Sequence, residues 1–315
     1  MVARRLRNRP IFLRRSHRLP NLVQTFPTPD GLRLAADVAG SGERGCVILA
    51  HGGGQTRHSW ASTATRLAES GWKTIALDLR GHGESQWAAD GDYQIQRFAE
   101  DLVAVSAGLR GKPALIGASL GGMAGLMVET VAAPGTFRSL TLVDIIPNSD
   151  RSGIARIMGF MAANLDHGFD NLEAAADSIA AYLPHRPRPN DLTGLQKNLR
   201  LGQDGRYRWH WDPRFVTGMN ASRVENFASD FESRCREIEI PVHLIRGRLS
   251  ELVSLEAATA FVGSLKHGTF TDVADAGHMV AGDRNDVFLE AVVAFLDGAG
   301  GAALRTPASP ATRPG

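Results

Sequence analysis

The chain has 315 residues, 43% of them hydrophobic and 22% charged, with a formal net charge of +2. That length holds one large core, or one core plus a smaller insertion, and no apolar run approaches the ~20 residues needed to cross a bilayer. Seven of the 35 basic side chains lie in residues 1–20 and two in 299–315, stretches without an acid, so the body carries 26 basic groups against all 33 acidic ones and the charge argues for no nucleic-acid partner.

Residues 1–20, with Arg4, Arg5, Arg7, Arg9, Arg14, Arg15 and Arg18, read as a solvated, flexible arm. A tether to an anionic surface and a contact with a neighbouring subunit, as in a homodimer, are the alternatives. The arm's one apolar run, Ile11-Phe12-Leu13, falls short of the ~7–15 residues of a secretory signal. An opening strand pair is expected at residues 22–26 and 32–38, turned by Pro29-Asp30-Gly31. A buried strand at 46–50 runs into His51-Gly52-Gly53-Gly54. A helix over 58–70 stops at Gly71. The strand at 73–77 leads into Asp78-Leu79-Arg80-Gly81-His82-Gly83-Glu84-Ser85. Ile95, Phe98, Leu102, Val105 and Leu109 alternate spacings of three and four, which predicts an amphipathic helix.

Next come a short apolar strand at 112–116, the pentapeptide Gly117-Ala118-Ser119-Leu120-Gly121 and an Ala/Met/Leu-rich helix over 120–131. A Gly-x-Ser-x-Gly between strand and helix is a nucleophile elbow: the tight turn demands small neighbours and lifts the hydroxyl to the head of a helix. In isolation the pattern would be a small turn residue in a chain with 34 glycines; its context makes Ser119 a catalytic candidate. Further strands are expected at 138–143, 242–246 and 269–273, and a closing helix at 284–297. The alternation predicts an α/β fold with a parallel sheet.

Residues 147–234 break this alternation, with helical stretches at 154–165 and 172–183, a hinge at Pro184-His185-Arg186-Pro187-Arg188-Pro189 and no convincing strand. They read as a helical cap inserted into a core made of 21–146 and 235–298, followed by a disordered tail, 299–315. Cys46 and Cys235 make neither a disulfide framework nor a metal motif, which leaves a reducing cytoplasm as the default setting. Ligands of open α/β sheets bind at the carboxyl ends of strands. Ser119, Glu251 and His278 all follow such ends, in the order nucleophile, acid, histidine.

With His51-Gly52-Gly53-Gly54-Gln55, Asp78-x-Arg80-Gly81-His82-Gly83-x-Ser85, Gly117-Ala118-Ser119-Leu120-Gly121 and Ala276-Gly277-His278-Met279 in this order, the chain resembles an α/β-hydrolase-fold enzyme of the serine-nucleophile branch over residues 22–297. The resemblance implies a mostly parallel eight-stranded sheet flanked by helices and an inserted cap. It places the catalytic histidine at His278, after the final strand, as the base that activates Ser119 and then protonates the leaving group.

For the acid, Glu251 is the sole carboxylate in Arg246-Gly247-Arg248-Leu249-Ser250-Glu251-Leu252, although Ser250 occupies the commoner acid place. Asp144, at the end of the sixth strand, is the rival, because some relatives draw their acid from there. Glu251 is the favoured choice. Asp275 and Asp283 read as capping or solvated residues. The oxyanion hole is expected from the N–H groups of Leu120 and Gly53.

A substrate-facing set of His51, Gly54, Met158, Trp209, Trp211 and Met279 completes the site, although cap-to-core packing accounts for much of the apolar part and His51 supports its loop. The implied activity is hydrolysis of carboxylic esters or lactones of a small molecule, with no cofactor, no metal and no membrane insertion. Perhydrolases and carbon–carbon bond hydrolases share the serine. Epoxide hydrolases and haloalkane dehalogenases carry an aspartate at the elbow. A ligand-binding protein on a hydrolase scaffold is the non-enzymatic alternative.

Overall fold

The computed structural model describes residues 22–184, 188, 190–218 and 231–298. The arginine arm, the 299–315 tail, most of the Pro-rich hinge and residues 219–230 of the expected cap lie outside the described residues. In chain order the strands are β1 (Leu22–Pro27), β2 (Arg33–Ala39), β3 (Cys46–Ala50), β4 (Lys73–Leu77), β5 (Ala114–Ala118), β6 (Ser139–Val143), β7 (Leu199–Leu201), β8 (Tyr207–Trp209), β9 (Val242–Gly247) and β10 (Gly268–Val273). The helices are α1 (Ala61–Glu69), α2 (Ile95–Ala107), α3 (Leu120–Met127), α4 (Arg151–Ala162), α5 (Leu172–Tyr182), α6 (Pro213–Thr217), α7 (Leu255–Ser264), α8 (Val280–Asp283) and α9 (Asn285–Gly298).

Eight strands form one sheet in the order β1-β2-β4-β3-β5-β6-β9-β10. The pairs β1–β2 and β2–β4 are antiparallel and the rest parallel. Both faces are covered, which is why β3 reads as the unbroken apolar run Cys-Val-Ile-Leu-Ala, all of it buried. Val47 and Leu49 face a layer containing Leu67 of α1 and Phe288 and Val292 of α9. Ile48 and Ala50 face the opposite layer, with Phe98 and Leu102 of α2, Ala124 and Leu126 of α3 and Phe261 of α7. Each fully buried Leu, Ile or Phe contributes about 1.5–3 kcal/mol by leaving water. No helix among the described residues is long and apolar enough to cross a membrane.

Two local expectations need correction. The segment between β6 and β9 does contain strands, the antiparallel hairpin β7–β8. At three residues each they are too short to leave a period-two signal, and the hairpin is closed by Gly205 at φ 76° and by Asp204, which accepts from the Arg206 N–H and pairs with Arg208. The helix expected through Val131 ends at Met127 and continues as one wide π turn, Val128–Ala132.

The close approach of α3 to the sheet fixes its position. A Cβ on Gly121 would lie 2.4 Å from Ala50 O, and one on Gly117 would lie 2.5 Å from Gly121 C. Helix backbone therefore rests directly on β3 and β5, and no larger residue fits at these two positions.

The loops after β3 and β4 are held by three neighbouring imidazoles, tilted against one another. His51 and His82 lie 5.2 Å apart and His82 and His210 lie 5.8 Å apart, centre to centre. His51 Nε2 accepts the Leu79 N–H (3.0 Å), and its Nδ1 lies 2.8 Å from Gly52 O. His82 Nε2 accepts the Gly54 N–H (3.2 Å), while its Nδ1 faces Arg80 O. His210, from the inserted segment, accepts the Gly83 N–H (2.7 Å) and reaches Gly54 O (3.3 Å). These pairings require neutral rings. Burial pushes the His51 imidazole down to about 4 and that of His82 to about 3. His210 is likewise well below its ordinary value, by burial and then by its histidine neighbours.

Below the loops, Arg80 is fully buried between Asp101 and Asp30. Arg57 is buried among Asp37, Asp78 and Glu84. Removing one partner of such a buried ion pair typically costs about 3–5 kcal/mol, so both arginines act as internal fasteners of the loop edge.

Gly121→Ala is expected to lower stability by about 1–3 kcal/mol through overpacking, read as a lower urea midpoint with an unchanged slope. Acid is expected to weaken the fold. His51, His82 and His243, the last also held to about 3 by burial, protonate near 6.5 when exposed but only near 3–4 in the fold. Between those values the unfolded chain binds more protons, so stability is complete above about pH 6.5 and falls as pH drops toward 4. Urea unfolding at pH 7.5 and pH 5 measures the fall, and His82→Gln, which keeps an acceptor but does not titrate, should make it shallower.

Candidate active site

Ser119 joins β5 to α3 at φ 43°, ψ −108°. A residue with a Cβ enters this region only when its surroundings enforce it. Here they do: the Ser119 N–H donates to Val143 O (3.1 Å), its carbonyl accepts the Met123 N–H (2.9 Å), and the Gly121 N–H donates to His51 O (3.2 Å). The Ser119 hydroxyl forms no hydrogen bond among the described residues. It stands at the first turn of α3, where the Leu120 N–H has no acceptor among the described residues and the helix dipole is positive.

The glycine turn passes beside it. A Cβ on Gly52 would lie 3.4 Å from Ser119 Cβ. Gln55 holds this turn, accepting the Gly52 N–H through Oε1 (3.0 Å) while its Nε2 reaches Met279 Sδ (2.8 Å). The N–H groups of Gly53 and Leu120 meet no acceptor among the described residues. Gly54 has φ 75° and is clamped through its own N–H and carbonyl by His82 and His210.

His278 lies in the loop between β10 and α8. Its Nδ1 is 2.8 Å from Asp144 Oδ2. A carboxylate only accepts, so Nδ1 carries the proton and Nε2 is left with a lone pair. Asp144 is fully buried, at φ 52°, one residue beyond β6. Its Oδ1 accepts the Gly247 N–H (3.1 Å), and its Oδ2 also accepts from Ser250 Oγ (2.5 Å).

The favoured acid of the sequence reading, Glu251, is not at this site. Its side chain is 59% exposed and pairs with Arg156 of α4. The loop reverses at Ser250, through Ser250 N–H to Gly247 O, and aims position 250 inward and position 251 outward. The carboxylate on the histidine is thus Asp144, the rival candidate. Asp283 supports the histidine loop by accepting the Gly277 N–H (3.0 Å), and Asp275 is exposed.

The other expected site residues divide. His51 is fully buried with both ring nitrogens engaged, so it props the turn and is withdrawn from the substrate-facing set. Trp211 touches Gly54: a Cβ there would lie 3.3 Å from its ring. Trp209 stacks behind Trp211 (4.9 Å, 11°) and packs on Phe160 and Phe169. Met158 is half-buried against the same core layer.

Two apolar neighbours stand out. Phe215 of α6 and Met161 of α4 would lie 3.4 and 3.8 Å from a Cβ on Gly53. Neither belongs to the substrate-facing set read from the sequence, although Met158 of that set lies on the same helix as Met161. The roles of His82, His210 and Ser250 were likewise unassigned. For Ser250 there was a signal, its occupation of the commoner acid place.

The family model described as alpha/beta hydrolase fold matches residues 45–284. Esterase Rv0045c of Mycobacterium tuberculosis is 29% identical over 259 residues, covering 80% of this chain and 82% of its own. The 3-hydroxybutyrate-oligomer hydrolase of Cupriavidus necator is 27% identical over 244 residues, 74% of this chain and 82% of its own. Among solved structures, the M. tuberculosis esterase Rv0045c aligns with a TM-score of 0.70 at 28% identity, over 88% of this chain and 92% of that one. E-2-(acetamidomethylene)succinate hydrolase aligns with a TM-score of 0.74 over 89% and 100%, at 23% identity, a likeness of fold. The strained serine between strand and helix, the parallel sheet and these matches converge: the chain is a hydrolase of the α/β-hydrolase fold family.

Proposed function

We propose that the protein is a serine hydrolase that cleaves carboxylic esters or lactones through an acyl-enzyme, with Ser119 as nucleophile, His278 as base and Asp144 as acid. One observation carries the reading: a hydroxyl held in a strained elbow at a helix head lies at the same carboxyl end of the sheet as an imidazole whose Nδ1 is bonded to a buried carboxylate. The pairing of Ala118 with Val143 places residues 119 and 144 at neighbouring strand ends.

The chemistry follows from that arrangement. His278 Nε2 takes the Ser119 proton as Oγ attacks the ester carbonyl, through a hydrogen bond that forms when substrate binds. Asp144 fixes the tautomer and steadies the imidazolium. The Leu120 and Gly53 N–H groups, which have no other acceptor among the described residues, bind the tetrahedral oxyanion; one such donor is worth about 3–4 kcal/mol. His278 then protonates the departing alcohol and activates the water that releases the acid.

The two curated relatives named above, an esterase and an oligomer hydrolase, support hydrolytic ester chemistry. The inserted segment acts as the cap, with Met161, Phe215 and Trp211 forming an apolar lid over the glycine turn. Small acyl groups of low polarity suit that lid. Ser119 argues against the aspartate-nucleophile relatives, whose alkyl-enzyme ester is hydrolysed at the carboxylate carbon.

Ser119→Ala should abolish both ester turnover and labelling by a fluorophosphonate; undiminished turnover would overturn the mechanism. Asp144→Asn should lower kcat by about 10⁴-fold by presenting the wrong tautomer, whereas Glu251→Gln stays within about twofold of wild type, as an exposed substitution does. The opposite ranking would return the acid role to Glu251. Met161→Ala is expected to shift the preferred p-nitrophenyl ester toward longer acyl chains, measured as kcat/KM across a graded series.

A further inference from the structure

Asp144 Oδ2 receives two donors, His278 Nδ1 and the Ser250 hydroxyl. A serine hydroxyl has one proton to give and two lone pairs to receive with. Both lone pairs of Ser250 Oγ are engaged by backbone, the Leu252 N–H at 3.0 Å and the Val253 N–H at 3.3 Å. Its single proton is therefore directed at Asp144, across 2.5 Å, a short charge-assisted contact.

We propose that Ser250 is a positioning residue of this active site: its hydroxyl locks the Asp144 carboxylate so that one oxygen stays aimed at His278. The inference rests on the reading of Ser119, His278 and Asp144 as the catalytic set.

Without that hydroxyl, Oδ2 is restrained only by the imidazole, whose proton inventory changes during the reaction. Rotation about the terminal carboxylate bond is soft, and the Gly247 N–H holds only the other oxygen. The frame carrying Ser250 is tied to the frame carrying His278. The Arg248 N–H donates to Val273 O (2.9 Å) and the Leu249 N–H to Ala276 O (2.8 Å), both on the β10 side. Acid and base are thereby held by one clamped pair of loops, with Ser250 as the contact between the clamp and the carboxylate.

Ser250→Ala, Ser250→Thr and Ser250→Cys, each alone and the first also combined with Asp144→Asn, form the test. The readouts are p-nitrophenyl butyrate kinetics and the rate at which a fluorophosphonate labels Ser119. Ser250→Ala should lower kcat and the labelling rate about ten- to a hundredfold with KM within about twofold. Threonine, which keeps the hydroxyl, should restore most of the rate, and cysteine, a weak donor, should behave like alanine. In the Asp144→Asn background, Ser250→Ala should add almost nothing, because the two side chains act as one unit.

A Ser250→Ala protein with wild-type kcat and labelling would overturn the proposal. So would a loss fully additive with Asp144→Asn, or a threonine variant as slow as alanine at equal thermal stability. Should alanine fail to fold, the threonine–cysteine contrast decides alone. If Ser119→Ala keeps its turnover, the catalytic reading itself has failed; if Ser119→Ala is inert while Ser250→Ala is unimpaired, only the role of Ser250 has.

Discussion

The structure depends on a contact that excludes volume. Helix α3 lies on β3 and β5 with backbone against backbone, at distances that no Cβ could share. The strand therefore turns into the helix within one residue, and that residue, Ser119, takes a positive φ. Its hydroxyl is then carried past the strand ends, beside the glycine turn that follows β3. The left-handed backbone at Ser119 disfavours any residue with a Cβ, and the surrounding hydrogen bonds and packing outweigh the strain. A serine so placed is a position chosen by the sheet, and the rest of the site is arranged around it.

Charge and neutrality are distributed with the same economy of groups. The buried carboxylate of Asp144 is compensated by three donors, a backbone amide, a hydroxyl and an imidazole. Taken from water with fewer partners, it would impose a heavy desolvation cost. The three imidazoles beneath the glycine turn follow the reverse rule. Burial keeps His51, His82 and His210 neutral, so each can accept a backbone N–H from a loop that has no regular ladder to join. In the proposed mechanism His278 handles protons, whereas these three imidazoles serve as rigid acceptors. His210 belongs to the inserted segment yet bonds both loops, and Tyr93 of the core donates to its neighbour Asp212 (2.7 Å). The geometry of the proposed oxyanion donors is in this way coupled to the seating of that segment.

The apolar cover over the site has the same origin. Met161, Trp211 and Phe215 come from α4, the stretch after β8 and α6, and converge on Gly53 and Gly54. Glycine in the turn admits them to close range, and the same lack of side chains leaves room for a substrate carbonyl to approach the backbone. His82 lies edge-on to Phe215, with centres 4.8 Å apart, so lid and prop are in direct contact.

Much of this was written in the chain itself. All eight strands of the sheet were anticipated: central ones such as β3 and β5 from short apolar runs, because strands covered on both faces have few polar positions to blur the pattern, and the exposed edge strand β1 together with β2 from the Pro29-Asp30-Gly31 turn between them. The spacing of glycines around Ser119 and the placement of His278 after the final strand marked both as candidates, since both placements are tied to local turns. The β7–β8 hairpin escaped for the complementary reason: three-residue strands carry no periodicity.

Which carboxylate meets His278 was decided only in three dimensions. Asp144 and Ser250 are 106 residues apart and meet because β6 and β9 are neighbours in the sheet. One turn in the loop after β9 sends position 250 toward Asp144 and position 251 out to Arg156. A carboxylate's presence in a loop is a property of sequence; the direction it faces depends on the hydrogen bonds that fold the loop, and those partners come from elsewhere in the chain.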